Sequence, residues 1–238
     1  MSKHIPRIYF NYNNNEYISS NSELILPDRC NNHLINVFRM KIYDEVIIYN
    51  KEYGEWLCSI TEINRNKILV QCNKLLRKYQ NNISASLAFC IIKYDNVKLI
   101  IEKCTELGIT DFYPLISDYT QYSKLNIDKL NLISIQASEQ SERLDVPIIH
   151  NIFNINEFIN NLPINVKWYS AIERINNTSN IDVKTNIGFI IGPEGGFSER
   201  EKKLLINKTE QISLSKNVLR AETACISCAS LFNYFLLL

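Results

Sequence analysis

The sequence predicts an α/β protein in which a small β-barrel precedes a mostly parallel sheet with helices on both faces. Its 238 residues are about 1.6 times the ~150 residues typical of one domain. Short apolar strands fill the first 76 residues, and strands alternate with helices from residue 84 onward. We therefore expect a barrel over residues 1–76, a linker over 77–83 and an α/β domain over 84–238.

Five short segments rich in Ile, Val and aromatic residues predict the strands of the barrel. Between the second and third of them, Asn32–Arg39 places Leu34, Val37 and Phe38 at helical spacing, which predicts one short helix. The polar and basic run Lys74–Asn82 indicates the linker. The five segments are Arg7–Phe10, Glu23–Leu26, Glu45–Tyr49, Glu55–Ile63 and Lys67–Lys74.

The second part alternates between apolar strands and amphipathic helices. Its first strand, Leu87–Ile92, is apolar throughout, as is typical of a strand buried on both faces. Helix Val97–Leu107 follows, with Gly108 in the position that ends many helices. The later elements are strand Ile109–Ile116, helices Ile127–Ser141 and Ile155–Leu162, strands Val166–Ile172 and Ile187–Ile191, helix Glu199–Asn207, strand Gln211–Leu214 and helix Glu222–Leu237. Ligands of such sheets bind beyond the carboxyl ends of the strands.

Composition and charge narrow the class of protein. Apolar residues make up 46% and charged residues 21% of the chain, which excludes a disordered protein. The longest apolar stretch, Ile226–Leu238, would span only about 20 Å as a helix, too short to cross a membrane. Residues 1–78 hold 11 basic and 8 acidic side chains, net +3, and residues 79–238 hold 15 and 17, net −2. This asymmetry permits an RNA-facing first domain.

The cysteines indicate a reducing environment. The chain has seven of them, and its N-terminus has no apolar signal run, so we expect a cytoplasmic protein. Cys225 and Cys228 have the spacing of half a zinc site, but no second pair of ligands completes it. We therefore expect both as core residues, and we predict no metal and no membrane partner.

Glycine is scarce but clustered. Only 6 of 238 residues are Gly, about 2.5% against a usual ~7%. Even so, Gly192, Gly195 and Gly196 occur together in Ile191–Gly196, between a predicted strand and a predicted helix. Pro193 fixes φ, and the glycines allow positive φ or a ligand pressed against the backbone. We expect a loop that holds a flat ligand, although an ordinary strand-to-helix turn would have the same pattern.

The helix after this turn starts with a recognisable cap. Ser198 followed by Glu201 predicts a capping box, which would fix the end of the turn. The chain contains neither the Gly-x4-Gly-Lys-Ser/Thr phosphate loop nor the Gly-x-Gly-x-x-Gly dinucleotide pattern. The sequence therefore does not favour an ordinary Rossmann nucleotide site.

A second candidate segment lies at the start of the last helix. Arg220, Glu222 and Thr223 follow a short strand and a polar bend. A cation and a carboxylate beside helix N-terminal amides can bind an anion and accept a proton. The alternative is that Thr223 and Glu222 only cap the helix and that Arg220 pairs with Glu222 on the surface.

Together with four further motifs, these two segments resemble the RsmE family of 16S ribosomal RNA uridine-N3 methyltransferases, which belong to the SPOUT class. The resemblance covers nearly the whole chain, and its motifs occur in the family's order. They are Ile5–Tyr9, Asn32–Met40, Glu102–Gly108, Glu139–Arg143 with Val146-Pro147, Ile191–Gly196 and Val218–Ala224.

The resemblance implies a PUA-like barrel that helps to grip RNA and a SPOUT-type domain whose last segments thread a trefoil knot. It implies a homodimer, for which the apolar last helix is suited, and S-adenosylmethionine held by three loops. The chain departs from the family at Ser215, where Gly is usual. The implied cofactor-binding residues are Ala171, Ile172 and Glu173; Ile191, Gly192, Pro193, Glu194, Gly195 and Gly196; Leu214, Ser215, Val218 and Leu219; and Thr223.

The chemistry of N3 methylation suggests a role for each polar candidate. The uridine must lose a weakly acidic proton, and Arg220 is our candidate to stabilise the negative charge that develops on the base. Glu222 is the candidate base, with Glu194 second. Because N3 lies on the Watson-Crick edge, the target must be unpaired or flipped, which favours folded 16S ribosomal RNA in the small subunit.

Contacts to the RNA backbone are expected from the basic first domain, through Arg7, Arg39 and Lys41. The alternative is that Arg7 and Arg39 form ordinary salt bridges. Two other functions stay open: a related knotted RNA methyltransferase with another target, and a catalytically inert RNA-binding assembly factor.

Overall fold

The computed structural model describes residues 5–11, 18–64, 67–80, 83–173, 179–182 and 184–236. The chain forms two compact units, one of Met1–Asn81 with Ser138–Val146 and one of Asn82–Ala137 with Pro147–Leu238. The first break falls within the predicted linker, of which residues 81 and 82 lie outside the described residues. The return of Ser138–Val146 to the first unit differs from the predicted division, and its cause is a set of charged contacts.

The first unit is built on a five-stranded sheet. Its strands are β1 (Arg7–Tyr9), β2 (Glu23–Ile25), β3 (Glu45–Asn50), β4 (Gly54–Asn64) and β5 (Lys67–Arg77). The order is β1-β3-β4-β5-β2, with β1 parallel to β3 and the other pairs antiparallel. The five predicted strands are confirmed. Strand β5 continues to Arg77, opposite Glu55, so the residues from Lys74 to Arg77 are strand rather than linker.

The predicted short helix has an unexpected geometry. Helix α1 (Asp28–Asn32) continues into a π-helical turn, His33–Val37, in which the amide of Phe38 donates to the carbonyl of His33 at 3.0 Å. The wider turn moves side chains away from the positions of a 3.6-residue helix. Leu34 is buried, whereas Val37 and Phe38 are exposed.

A buried ion cluster lies at the edge of this sheet. The Glu55 side chain is only 6% exposed and pairs with both Arg7 and Arg77. The Arg7 guanidinium, also 6% exposed, lies 4.8 Å from the Tyr49 ring centre, and burial, followed by the charge of Arg77, lowers the pKa of Arg7. The expectation that Arg7 contacts RNA is therefore wrong, because its guanidinium is buried and paired with Glu55 inside the unit.

The same cluster holds the segment Ser138–Val146. Arg7 donates to the carbonyl of Arg143 at 3.1 Å, and Arg77 donates to the carbonyl of Glu142. The Glu139 carboxylate accepts from the Tyr9 amide and from Arg29, both at 2.9 Å. Charged hydrogen bonds are stronger than neutral ones, so these contacts explain why the segment belongs with the first unit.

The second unit is built on a parallel sheet in the order β12-β10-β11-β6-β7-β8, with β9 also paired to β7. All of these strand pairs are parallel. The predicted elements are all present, whereas β8 and β9, two residues each, were not predicted. The elements are β6 (Ala85–Cys90), α2 (Tyr94–Glu106), β7 (Asp111–Ile116), α3 (Ile127–Gln140), β8 (Ile148–Ile149), β9 (Phe153–Asn154), α4 (Ile155–Asn160), β10 (Lys167–Ala171), β11 (Ile187–Ile191), α5 (Glu199–Lys208), β12 (Glu210–Ile212) and α6 (Ala221–Leu236).

Helices cover both faces of this sheet, which confirms the predicted fold class. Along β11, Phe189 belongs to an apolar cluster with residues of α2 and α6, and the next residue, Ile190, belongs to another with residues of α4 and α5. This alternation places the two clusters on opposite faces. Cys225 and Cys228 are fully buried in the first cluster, as expected of core residues. The trefoil knot stays a prediction.

None of the described helices combines the length and apolarity needed to cross a bilayer. Within the described part of the chain, no three His, Cys, Asp or Glu side chains are grouped so that they could hold a metal ion.

The buried ion cluster gives a first prediction. Glu55→Gln leaves the Arg7 charge buried without its carboxylate, and we expect the first unit to lose about 3–5 kcal/mol of unfolding free energy. Urea denaturation is followed by Trp56 fluorescence in a Trp168→Phe background. The signal reports on the first unit, because Trp56 is then the only tryptophan of the chain.

The matched control is Glu45→Gln. Glu45 lies on β3 of the same unit and is exposed, so we expect a change below about 0.5 kcal/mol. A loss for Glu55→Gln as small as that of the control would contradict the role of the cluster.

Candidate functional site

Three loops meet at one edge of the parallel sheet and form a cavity of ≈ 280 Å³. They follow β10, β11 and β12, which are neighbours in the sheet and therefore end at the same edge. The volume is close to the lower end of the ~300–1,000 Å³ typical of small-molecule sites. The lining residues are Ala171, Ile172, Glu173, Ile191, Gly192, Pro193, Glu194, Gly195, Gly196, Phe197, Lys202, Ile212, Ser213, Leu214, Ser215, Asn217, Val218, Leu219, Ala221 and Ala224.

The structure brings together all of the predicted cofactor-binding residues except Thr223. Thr223 is exposed on the first turn of α6, where its carbonyl accepts a hydrogen bond from the Ser227 hydroxyl at 2.8 Å. Helix geometry explains the difference, because the lining residues Ala221 and Ala224 lie on one face of α6 and Thr223 does not share it.

The turn after β11 favours glycine at two positions, Gly192 and Gly196, for different reasons. Its closing hydrogen bond runs from the Gly196 amide to the Pro193 carbonyl at 2.9 Å, and Gly196 has a φ of 71°. A Cβ on Gly192 would lie 3.2 Å from the ring of Phe197, which is buried. These positions need glycine for reasons of backbone conformation and packing, as the composition suggested.

The carboxylate of Glu201 fixes this turn to a second loop. Ser198 and Glu201 form the predicted capping box at the start of α5. Glu201 is fully buried and accepts from the amides of Ser198 and Asp118, both at 2.8 Å. The Asp118 carboxylate accepts from the Ser198 hydroxyl at 2.6 Å and from Arg200 at 2.9 Å, contacts that lower the pKa of Asp118. The loop after β7 is thus held against the turn.

The third loop accommodates Ser215, where the family usually has Gly. The Ser215 hydroxyl accepts from the Asn217 amide at 3.0 Å, so it stabilises its own loop. Three polar lining residues, Ser213, Asn217 and Lys202, are absent from the predicted cofactor-binding set. Lys202 comes four residues after the cap residue Ser198 and so lies one helical turn beyond the cap. This spacing could have indicated that Lys202 lines the cavity.

The three candidate catalytic residues occupy different environments. Glu194 lines the cavity and is exposed. Arg220 lies between the lining residues Leu219 and Ala221 with an exposed side chain, and its carbonyl accepts from the Ala224 amide as α6 begins.

Glu222, in the first turn of α6, is 8% exposed. No hydrogen bond or salt bridge joins the side chains of Glu222 and Arg220 to each other or to another described residue. The alternative of a surface pair between Arg220 and Glu222 is therefore wrong.

The remaining RNA candidates lie in the first unit. Arg39 and Lys41 are both exposed, unlike the buried Arg7. Next to them in the chain, Phe38 is 36% and Tyr43 is 84% exposed.

Comparison with known proteins identifies the class of this protein. The profile of a family described as RNA methyltransferase domain matches residues 79–233, and a profile described as RNA methyltransferase PUA domain matches residues 32–71. The chain is 37% identical over 232 residues to ribosomal RNA small subunit methyltransferase E of Rickettsia conorii, covering 93% of this chain and 92% of that protein. The protein of the same name from Bacillus subtilis is 26% identical, with 85% and 86% covered.

Solved structures have the same fold. A protein from Legionella pneumophila solved with bound S-adenosylmethionine superposes with a TM-score of 0.86 at 25% identity, covering 98% of both chains. Ribosomal RNA small subunit methyltransferase E from Neisseria gonorrhoeae gives a TM-score of 0.84 at 24% identity, again with 98% of both chains covered.

The fold, the cavity and the matched domains define an RNA methyltransferase with a PUA-like domain before its α/β domain. Within that class, the chain belongs to the family of ribosomal RNA small subunit methyltransferase E proteins.

The capping interaction gives a second prediction. Ser198→Ala removes the cap of α5 and the hydrogen bond to Asp118, so we expect a loss of about 1–2 kcal/mol of unfolding free energy in urea denaturation. In the control Ser227→Ala, the lost hydrogen bond runs only to the preceding helical turn, and we expect less than about 0.5 kcal/mol.

A double-mutant cycle with Asp118→Ala tests the link between the two loops. We expect the double variant to be more stable than the sum of the single losses predicts, by about 0.5–1 kcal/mol. Strictly additive losses would show that Ser198 and Asp118 act separately.

Proposed function

We propose that this protein transfers a methyl group from S-adenosylmethionine to N3 of a uridine in the 16S ribosomal RNA of the small subunit. The observation that carries the proposal is the single cavity formed by the three loops that end β10, β11 and β12. Support also comes from the name of the Rickettsia relative and from the cofactor bound to the Legionella protein.

The lining of the cavity fits S-adenosylmethionine. Apolar side chains, among them Ile191, Leu214 and Leu219, can pack against a flat adenine ring, and the glycine turn lets backbone amides and carbonyls approach it. The Glu173 carboxylate can accept hydrogen bonds from ribose hydroxyls. When bound, the cofactor supplies an electrophilic methyl group, and the chain supplies position and charge.

Arg220 and Glu222 are suited to the two tasks that the uridine requires. The Arg220 guanidinium is exposed beside the cavity and can stabilise the negative charge spread over O2, N3 and O4 of the base. The Glu222 carboxylate, in the first turn of α6, has no ion-pair partner among the described residues and is the candidate to accept the N3 proton. Glu194, exposed in the cavity lining, is the second candidate for this role.

Binding of RNA would use the exposed surface of the first unit. Arg39 and Lys41 can contact phosphates, and Phe38 and Tyr43 can stack on unpaired bases. Recognition of folded RNA commonly combines both kinds of contact.

Two further parts of the proposal concern assembly and location. We expect a homodimer formed through the last helix, where Tyr234 is 57% and Leu236 is 42% exposed. Its substrate is found where ribosomal subunits are made, so we expect the protein to act in the cytoplasm.

The proposal is tested by incubating the protein with methyl-labelled S-adenosylmethionine and small subunits from a strain that lacks the gene. We expect label in one uridine of the 16S RNA, recovered as N3-methyluridine by nucleoside analysis. Free 16S RNA is assayed in parallel, to separate recognition of sequence from recognition of the folded particle.

Other results would support different functions. Label in another nucleoside or on a ribose 2′-OH would identify a related methyltransferase with a different target. Absence of cofactor binding at millimolar concentration in calorimetry would indicate an RNA-binding assembly factor without catalytic activity.

Arg220→Ala gives a third prediction. Loss of the guanidinium should lower kcat by at least about 100-fold, because the charge on the base is then unstabilised, while the Kd for S-adenosylmethionine stays within about two-fold. The control Lys216→Ala removes an exposed cation from the same loop and should leave kcat unchanged. Near-normal turnover of the Arg220 variant would remove this residue from the mechanism.

The exposed cations of the first unit give a fourth prediction. Arg39→Ala with Lys41→Ala should weaken binding to small subunits and lower the slope of log K against log salt concentration by about one to two. The matched control, Lys67→Ala with Lys74→Ala, removes two other exposed cations of the same unit. Equal effects of the two pairs would point to net charge rather than to a defined RNA-binding surface.

A further inference from the structure

The loop after β7 begins with the turn Ser117–Thr120. It is closed by hydrogen bonds from the Ser117 amide to the Thr120 hydroxyl at 2.9 Å and from the Thr120 amide to the Ser117 carbonyl at 3.1 Å. Asp118, at its corner, is held by Glu201, Ser198 and Arg200. Hydrogen bonds therefore fix the backbone on both sides of Tyr119, which lies between Asp118 and Thr120 in this turn.

Tyr119 is an exposed aromatic residue on this rigid turn. Its side chain is 53% exposed, and its hydroxyl has no hydrogen-bond partner among the described residues. A fixed, exposed ring is the form that a stacking partner for a flat ligand requires.

Tyr119 lies at the edge of the cavity. A Cβ built on Gly195, which lines the cavity, would lie 3.2 Å from Cβ of Tyr119 and 3.7 Å from two of its ring atoms, Cγ and Cδ2. The ring therefore packs against the glycine turn on one side and leaves its remaining surface open. Tyr119 does not line the cavity itself, so it is placed to contact what enters beside the cofactor rather than the cofactor.

We propose that Tyr119 is the stacking partner of the target uracil. This inference rests on the proposed function, because a base whose Watson-Crick edge is to be methylated has to leave its stack and needs a new flat neighbour. Aromatic side chains provide such a neighbour for any base, and the hydrogen-bonded turn lets Tyr119 do so without being ordered on binding. Tyr119 is a positioning residue for the substrate and takes no part in proton transfer.

The test compares steady-state methylation of small subunits by the wild type and by Tyr119→Ala, Tyr119→Phe and Tyr119→Leu. Alanine keeps the Cβ that makes the closest approach to Gly195 and removes only the ring. We expect Tyr119→Ala to lower kcat/KM for the RNA roughly five- to 100-fold, the range given by the loss of one base–aromatic stack, and the Kd for S-adenosylmethionine to stay within two-fold. Phenylalanine should restore activity, whereas leucine, apolar but not flat, should not.

Tyr122→Ala is the matched control. Tyr122 is 43% exposed and follows the hydrogen-bonded turn in the same loop, so it tests whether any surface tyrosine there has the effect. We expect kcat/KM within two-fold of the wild type. An equal fall for Tyr119→Ala and Tyr122→Ala, or full activity of Tyr119→Leu, would overturn the proposal.

Two other outcomes distinguish the stacking role of Tyr119 from a structural role and from failure of the proposed function. If Tyr119→Ala weakens cofactor binding as much as it lowers kcat/KM, the ring supports the glycine turn and is not a stacking partner. If the wild type methylates no RNA, the proposed function itself fails; if it methylates RNA and Tyr119→Ala is fully active, only the present inference fails.

Discussion

The buried carboxylate of Glu201 is the interaction on which the rest of the site depends. It accepts hydrogen bonds from two amides, one at the start of α5 and one in the loop after β7. A buried charge is tolerated only when it is fully hydrogen-bonded, and here the groups that satisfy it belong to the two loops on either side of the glycine turn. Glu201 thereby joins the end of the glycine turn to the loop after β7.

Much of the second unit could be predicted from sequence because its pattern is strong. Strand Ile187–Ile191 has the predicted bounds, since an apolar run between polar residues suits only a strand buried on both faces. Strands of two residues, such as Ile148–Ile149, are too short to show a period and depend on the pairing that β7 provides. The π-helical turn at His33–Val37 was missed because its apolar residues also fit an ordinary helix.

The site was predicted unevenly, for reasons of geometry. The resemblance indicated the three loops, and the order of the parallel strands brings them to one edge. Sequence alone did not separate Arg7, whose charge is buried beside Glu55, from the exposed Arg39, because the difference arises from Ser138–Val146, far along the chain. Lys202 was missed because its position follows from the start of α5 and belongs to no motif of its own.

The discontinuity of the first unit has a consequence for synthesis of the protein. Arg7, Arg29 and Arg77 leave the ribosome well before the residues that accept their hydrogen bonds, which are Arg143, Glu139 and Glu142 respectively. A nascent chain of about 80 residues thus contains every strand of the barrel but lacks the segment that completes its charged edge. The order of translation therefore delays completion of the first unit until Asn82–Ala137, more than a third of the second unit, has been made, and no single cut of the gene separates two self-sufficient pieces.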